Sequence, residues 1–279
     1  MLNIINRNTS KFFFSAKNHL KSKMPKASFI FLFLIIHMVK SQTPLPEHPR
    51  PDFNRPMWKN LNGSWDFKFD SDNRGLKEGW FKGTKFDKKI IVPFPWGSKL
   101  SKVNDEANIG WYYREINIPK DWKTKRTFIT IGASDWETSV WIDGKFVGKH
   151  EGGYVPFSFD LTPHLKYGQN QKLTIRVDDD AGDPKKFNRG YALYGKQGYG
   201  NARGIWQTVY LEARGKNFID AIHFTPDIDN KKVNVTAYLN KYASKELPLK
   251  LKINTDRGYI NHEINFKPGQ LKRNFDIDI

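Results

Sequence analysis

Asp135-Trp136-Glu137-Thr138-Ser139-Val140-Trp141-Ile142-Asp143-Gly144-Lys145-Phe146-Val147-Gly148-Lys149-His150-Glu151-Gly152-Gly153-Tyr154, followed by Pro156-Phe157-Ser158-Phe159-Asp160-Leu161-Thr162, is the stretch that decides the fold. Asp143-Gly144 suits a two-residue hairpin turn, because both central positions of such a turn need positive φ. The alternation predicts two antiparallel arms with Val140, Ile142 and Phe146 on one face. Paired glycines at 152 and 153 then permit a sharp corner, and another strand follows. His150 and Glu151 can titrate, but hydrogen-bonded structural roles suit them better at such a corner.

Working outward, strand-like segments recur at Gly63–Phe69, Lys89–Val92, Trp111–Ile118, Thr127–Ile131, Val155–Asp160, Lys172–Val177 and Gln207–Ala213. Short strands separated by turn signals predict an all-β fold of two packed antiparallel sheets. Composition agrees, since 15% aromatic residues with 21 Gly and 15 Pro favour strands and turns over a helical bundle. Before the first strand, Pro44, Pro46, Pro49, Pro51 and Pro56 mark an extended segment (42–56) expected to lie along the sandwich. A boundary falls near Arg214-Gly215, giving a first domain over 57–215. Beyond it (216–279), Phe218–Thr225, Lys232–Leu239, Leu247–Asn254 and Gly258–Phe266 alternate again, with Asp229-Asn230 as a turn.

The 135–162 stretch resembles the amino-terminal sugar-binding domain of glycoside hydrolase family 2, the β-galactosidase and β-glucuronidase family. Gly195-Lys196-Gln197 and Ala202-Arg203-Gly204-Ile205-Trp206-Gln207-Thr208-Val209-Tyr210-Leu211-Glu212 resemble the end of the same domain. The resemblance runs from about Pro56 to Ile279 and is strongest over Lys59–Glu212. It implies a jelly-roll (galactose-binding-like) sandwich followed by an immunoglobulin-like β-sandwich. A complete sandwich of the second kind takes about 100 residues. With about 65 remaining, that domain is expected to be incomplete.

Glycoside hydrolysis normally uses two carboxyl groups flanking the sugar. In the family these stand in a later barrel, the acid/base in an Asn-Glu pair. This sequence has no Asn-Glu after Gln42 and no βα alternation, so no catalytic residue is assigned and the chain alone is expected to be inactive. The alternative is a free-standing carbohydrate-binding protein. Either way, the expected partner is a β-linked oligosaccharide or glycoside. The resemblance implies sugar contact from a loop just before Gly204-Ile205-Trp206. An aspartate that well-known members carry about six residues before that glycine is replaced here by Gly198. Gln197 is the substitute candidate because its amide both donates and accepts, and Lys196 could add a charged donor; a plain glycine-rich loop is the alternative. Asn108 is the nearest match to an asparagine that the family places before the strand beginning Trp111.

Trp96, Trp136 and Tyr199 offer flat faces for a pyranose ring, or else belong to the core. Asp178-Asp179-Asp180 with Asp183 is the densest acidic group. It reads as a polar strand end, with a bound cation or catalysis as weaker alternatives, because neighbouring strand residues face opposite ways. No Cys and 7 scattered His give no zinc pattern, and no cofactor motif occurs.

Lys21, Lys23 and Lys26 precede an apolar run from Phe29 to Val39, and Val39-Lys40-Ser41 suits cleavage before Gln42. Residues 1–41 therefore read as a signal segment, with Met24 as an alternative start, and the protein as exported, periplasmic or secreted. The run is short for a span of about 20 residues, so a retained anchor is the lesser reading. Without cysteine there is no disulfide and no lipid attachment after the run. Seven positive charges of the formal +17 lie before Gln42 with no acidic residue, leaving +10. Those charges are dispersed among acids, which favours a solvated basic surface over nucleic-acid binding.

Overall fold

The computed structural model describes residues 43–179, 202–255 and 258–278. The signal segment lies outside the described residues. Among the described residues there is no α-helix, and no helix is long and apolar enough to cross a membrane. Twelve strands come first: β1 (Trp58–Asn60), β2 (Gly63–Phe69), β3 (Lys88–Val92), β4 (Ile109–Asn117), β5 (Arg126–Ile131), β6 (Ser134–Asp135), β7 (Glu137–Ile142), β8 (Lys145–Glu151), β9 (Phe157–Asp160), β10 (Asn170–Asp178), β11 (Gly204–Ile205) and β12 (Val209–Arg214). Five more follow: β13 (Ile219–Asp227), β14 (Lys232–Leu239), β15 (Leu247–Thr255), β16 (Gly258–Phe266) and β17 (Lys272–Asp278).

The first set builds a sandwich. One sheet runs β1-β12-β5-β9 and the other β3-β2-β4-β10-β7-β8, with every pair antiparallel. Period-2 alternation sends Val140, Ile142, Leu173, Ile175, Val177, Trp65, Phe67, Ile90 and Val92 inward from the larger sheet. Ile129, Ile131, Val209 and Leu211 meet them from the smaller one. Each of these side chains is at most 1% exposed, so truncating one of the large ones costs about 3–5 kcal/mol.

The Asp143-Gly144 turn forms as expected: Ile142 pairs with Lys145, and φ is +48° at Asp143 and +76° at Gly144. One expectation about the hairpin fails. Phe146 does not share the face of Val140 and Ile142. The two-residue turn that pairs Ile142 with Lys145 sets Phe146 opposite Trp141, on the other face, and it is 54% exposed; the register irregularity, between Val140 and Trp141, lies beyond it.

The outer face of the larger sheet carries a second apolar cluster, Trp80, Ile109, Trp111 and Trp141. Trp111 stacks on Trp141 at 5.5 Å, and Trp141 on Phe81 at 5.6 Å. This explains why β4 reads as nearly continuous apolar sequence: it is buried on both faces.

The proline-rich segment does lie on the sandwich, although Pro51–Phe53 forms a 3-10 turn in place of continuous extension. Asn62 Nδ2 donates to Pro44 O (3.0 Å) and Asn60 Nδ2 to Leu45 O (2.8 Å). Glu212, 1% exposed, accepts from Arg55 Nη1 (2.8 Å) and Arg214 Nε (2.7 Å), while Arg55 Nη2 reaches Ile219 O. One buried carboxylate thus joins this segment, β12 and the start of β13. The second set of strands forms the sheets β13-β14-β17 and β15-β16 around Ala237, Leu239, Ala243 and Phe266. Sequence pattern had supplied four of these strands; β17, with its many charges, had no legible apolar face.

Gly204 has φ +77°, and a Cβ there would collide with the Trp96 ring and the Tyr112 hydroxyl. Gly63, at φ +108°, has nothing nearby. G63A should therefore cost only backbone strain, about 1–2 kcal/mol. G204A should cost about 1–3 kcal/mol more through overpacking, a difference that urea denaturation midpoints will show.

Candidate functional site

At one end of the sandwich, four backbone segments converge. Ile109 opens β4 opposite Asp178, the last residue of β10, and Asp178 in turn faces Glu137 of β7. Asp179 N extends the ladder by donating to Asn108 O at 2.8 Å. Gly204 of β11 pairs with Asp135 of β6. The result brings Asp105, Asn108, Asp135, Asp179 and Arg203 together at the same edge.

Arg203 is the hub. It is 8% exposed, and its Nη1 donates to Asn108 Oδ1 (2.8 Å) and Asp105 Oδ1 (3.1 Å), while its Nε lies 3.3 Å from Asp179 Oδ2. A planar guanidinium can hold several oxygens in fixed directions, which a lysine cannot. A second buried arginine, Arg176, acts in parallel: its Nη2 donates to Asn73 Oδ1 and Asp178 Oδ2, both at 2.9 Å. A cavity of about 390 Å³ is lined by Asp70, Ser71, Asn73, Glu106, Ala107, Asn108 and Ile109, two of which, Asn73 and Asn108, are held by these arginines.

Asp135 is 1% exposed, and burial pushes its carboxyl up to about 6. Asp179, equally buried, is pushed up to about 8. Burial is the main cause there and Asp135 the next; Arg203 pulls the other way, and Asp178 and Asp105 add to the rise. The glycines of the His150–Tyr154 corner have separate reasons. Gly152 has φ +129°, whereas Gly153 is packed so closely that a Cβ would fall 2.6 Å from Asp135 Oδ1. Trp206 Nε1 donates to Gly153 O at 2.8 Å, fixing that corner against the Gly204-Ile205-Trp206 strand.

The sites expected from sequence fare unequally. Asn108 lies on a cavity wall with its carboxamide oxygen held by Arg203. Gln197, Lys196, Gly198, Tyr199, Asp180 and Asp183 lie outside the described residues. Trp96 takes the core role that tryptophan more often has in a sandwich: at 0% exposure, packed on Phe67 and Tyr112, it offers no face to a sugar. Trp136 is half-buried. His150 stacks on Phe157 at 4.0 Å and Glu151 pairs with Lys149, which are structural contacts. Asp178 and Asp179 do form a polar strand end, and it is buried: they are 7% and 1% exposed and face Arg176 and Arg203. Among the described residues no group of three or more His, Asp or Glu is arranged to hold a metal ion. Arg203, Asp135 and Arg176 were in plain view yet given no role. An arginine immediately before a glycine required by packing was the available signal.

The family model for glycosyl hydrolases family 2, sugar binding domain, matches residues 58–213, more than half of the chain. The chain belongs to glycoside hydrolase family 2. Family 2 relatives include a β-glucuronidase of Paenibacillus borealis, 27% identical over 72% of this chain and 36% of its own length. A β-galactosidase of Thermoanaerobacter pseudethanolicus is 27% identical over 68% of this chain and 24% of its own. Among solved structures, Ruminococcus gnavus β-glucuronidase in complex with uronic deoxynojirimycin superposes with TM-score 0.63 at 19% identity, over 79% of this chain and 40% of that one. It has the same fold. The chain therefore spans about a third to two fifths of the length of several of the family 2 proteins it matches, the part that holds the sugar-binding domain.

Both raised carboxyls keep their protons more tightly folded than unfolded. Their stabilising contribution is complete below pH about 4 and is lost as pH rises through about 6 for Asp135 and about 8 for Asp179. Thermal melts from pH 4 to 8 should show this decline. D135N, which cannot ionise, should remove its lower part, worth up to about 3 kcal/mol.

Proposed function

We propose that this chain supplies the non-catalytic sugar contacts of a family 2 glycosidase that removes a terminal β-linked sugar, with Asn108, Gln197 and Lys196 meeting the substrate. The observation that carries this reading is Asn108 on the wall of a polar cavity, its carboxamide oriented by the buried Arg203. Lys196 and Gln197 precede Arg203 in the chain by only a few residues, which supports their assignment to the same end of the sandwich. Hydrolysis itself needs two carboxyl groups set across the glycosidic bond, by the retaining or the inverting geometry. Asp135 and Asp179 are poor candidates for that pair, since each is 1% exposed. The basic flank and apolar run before Gln42 support export to the periplasm or medium.

NMR titration of the purified chain with methyl β-galactoside and methyl β-glucuronide tests the contact. Binding of at least one is expected, weakened two- to tenfold by N108A and again by the Q197A/K196A pair, the size of one or two hydrogen bonds. Loss of effect in both variants would overturn the assignment. The same protein should show no turnover of chromogenic β-galactoside or β-glucuronide above a buffer blank.

A further inference from the structure

The end of the sandwich opposite Asn108 is built differently. β4 runs from Ile109 to Asn117, roughly 27 Å at the usual rise per residue, and near its far end lie the Asp143-Gly144 turn and the 3-10 turn Lys120–Thr124. Lysines converge there from across the sequence. The Lys82 stem packs on the hairpin turn, where a Cβ at Gly144 would fall 3.1 Å from Lys82 Cγ, and Lys145 is the next residue of the hairpin. Lys172 joins the same turn through its backbone: Asp143 N donates to Lys172 O and Lys172 N to Asp143 Oδ1, both at 2.9 Å. Lys166 Nζ stands 3.4 Å from Asp143 Oδ2. Lys120 packs on Gly168, where a Cβ would fall 2.6 Å from Lys120 Cε. Two glycines thus leave the room in which lysine stems are laid down, and the ammonium groups are carried at set places above them.

Lys166 is engaged by Asp143, and Lys172 lies opposite Glu115 in the ladder. Among the described residues, no carboxylate stands within 4.0 Å of Lys82, Lys120, Lys145 or Lys172, and all four are exposed. An aromatic ring flanks them. Phe146 follows Lys145, is 54% exposed and leans on Trp141 at 5.7 Å. Trp141 in turn stacks on Phe81, whose ring lies 5.7 Å from Lys82 Nζ. Ammonium groups are point charges without the fixed fork of arginine, so a set of them responds to charge along a polymer more than to the shape of one anion. A ring held against the sheet offers its outer face to the C–H side of a sugar and is not free to insert into a bilayer. In a family 2 chain, the polymer that suits both features is a polysaccharide.

We propose that this end is a docking surface for an anionic polysaccharide, with Lys82, Lys120, Lys145 and Lys172 meeting its acidic groups and Phe146 lying against one sugar ring. The surface holds a polymer without cutting it. It is independent of the Asn108 contact, which belongs to the other end of the sandwich.

Biolayer interferometry of the full chain against polygalacturonate, neutral dextran, polyphosphate, duplex DNA and phosphatidylglycerol vesicles tests this. Polygalacturonate should bind at least tenfold more tightly than dextran, and its affinity should fall several-fold between about 0.05 and about 0.2 M salt through screening. K82Q/K120Q/K145Q/K172Q should weaken it at least fivefold, since one exposed ion pair is worth about 1.5- to fivefold. K99Q/K102Q/K241Q/K245Q, which removes the same charge from exposed lysines elsewhere, should weaken it less than twofold. F146A should weaken polygalacturonate about two- to fourfold and leave polyphosphate, which has no sugar ring, unchanged. N108A should change neither. Melting curves check that the variants fold. Equal losses in the two quadruple variants, or no effect of F146A, would overturn the proposal. So would tighter binding of the DNA or the vesicles than of polygalacturonate, and so would a loss on N108A, which would put the polymer at the other end. Methyl glycoside binding that responds to N108A is a separate measurement, so the sugar contact and the docking surface stand or fall apart.

Discussion

The two sheets must close their apolar faces on each other, and that closure depends on how tightly the chain can approach itself at Gly204. There the backbone runs against the Trp96 ring and the Tyr112 hydroxyl with no space for a side chain, and Tyr112 Oη accepts the amide of Ile205 at 3.2 Å. Interiors packed to crystal-like density tolerate no such group being moved outward. With Gly204 fixed, Arg203 before it is forced into the sandwich edge, and Trp206 after it reaches the Gly153 corner. The position of one glycine thus determines where a buried charge must be satisfied.

Satisfying that charge organises the functional end. An unpaired guanidinium in such a place would be costly, so Arg203 collects oxygens from three residues on two segments, Asp105 and Asn108 before β4 and Asp179 after β10. The surplus of carboxyls around it is held partly by protonation, because buried like charges cannot all ionise. On β12 the inverse arrangement occurs, one buried carboxylate, Glu212, shared by Arg55 and Arg214. Both hubs join segments remote in sequence. The first adjoins a cavity lined by amides, a hydroxyl and carboxylates, while the second lies where the proline-rich segment and β13 meet the sheet.

Global charge is a poor guide to this chemistry. The chain is basic overall, yet the edge bearing Asn108 gathers Asp105, Glu106, Asp135, Asp178 and Asp179. Asp105, Glu106, Asp178 and Asp179 pair with Arg203, Lys88 and Arg176, and among the described residues no lysine or arginine lines the cavity wall. Long-range attraction of polyanions and short-range recognition in this cavity are therefore separate properties, set by different residues.

Alternation on either side of Asp143-Gly144, the spacing of short apolar runs and the paired glycines were enough to fix an all-β sandwich, because strand faces and hairpin turns are dictated by neighbours in sequence. Asn108 became a candidate only through the family resemblance. Phe146 turns outward because the two-residue turn sets it opposite Trp141, a register that the list of apolar residues alone does not convey. The burial of Asp179 depends on a distant arginine and leaves no local trace. Local pattern decided the strands; the meeting of segments dozens of residues apart decided which polar groups lost their water, and with it the chemistry of the site.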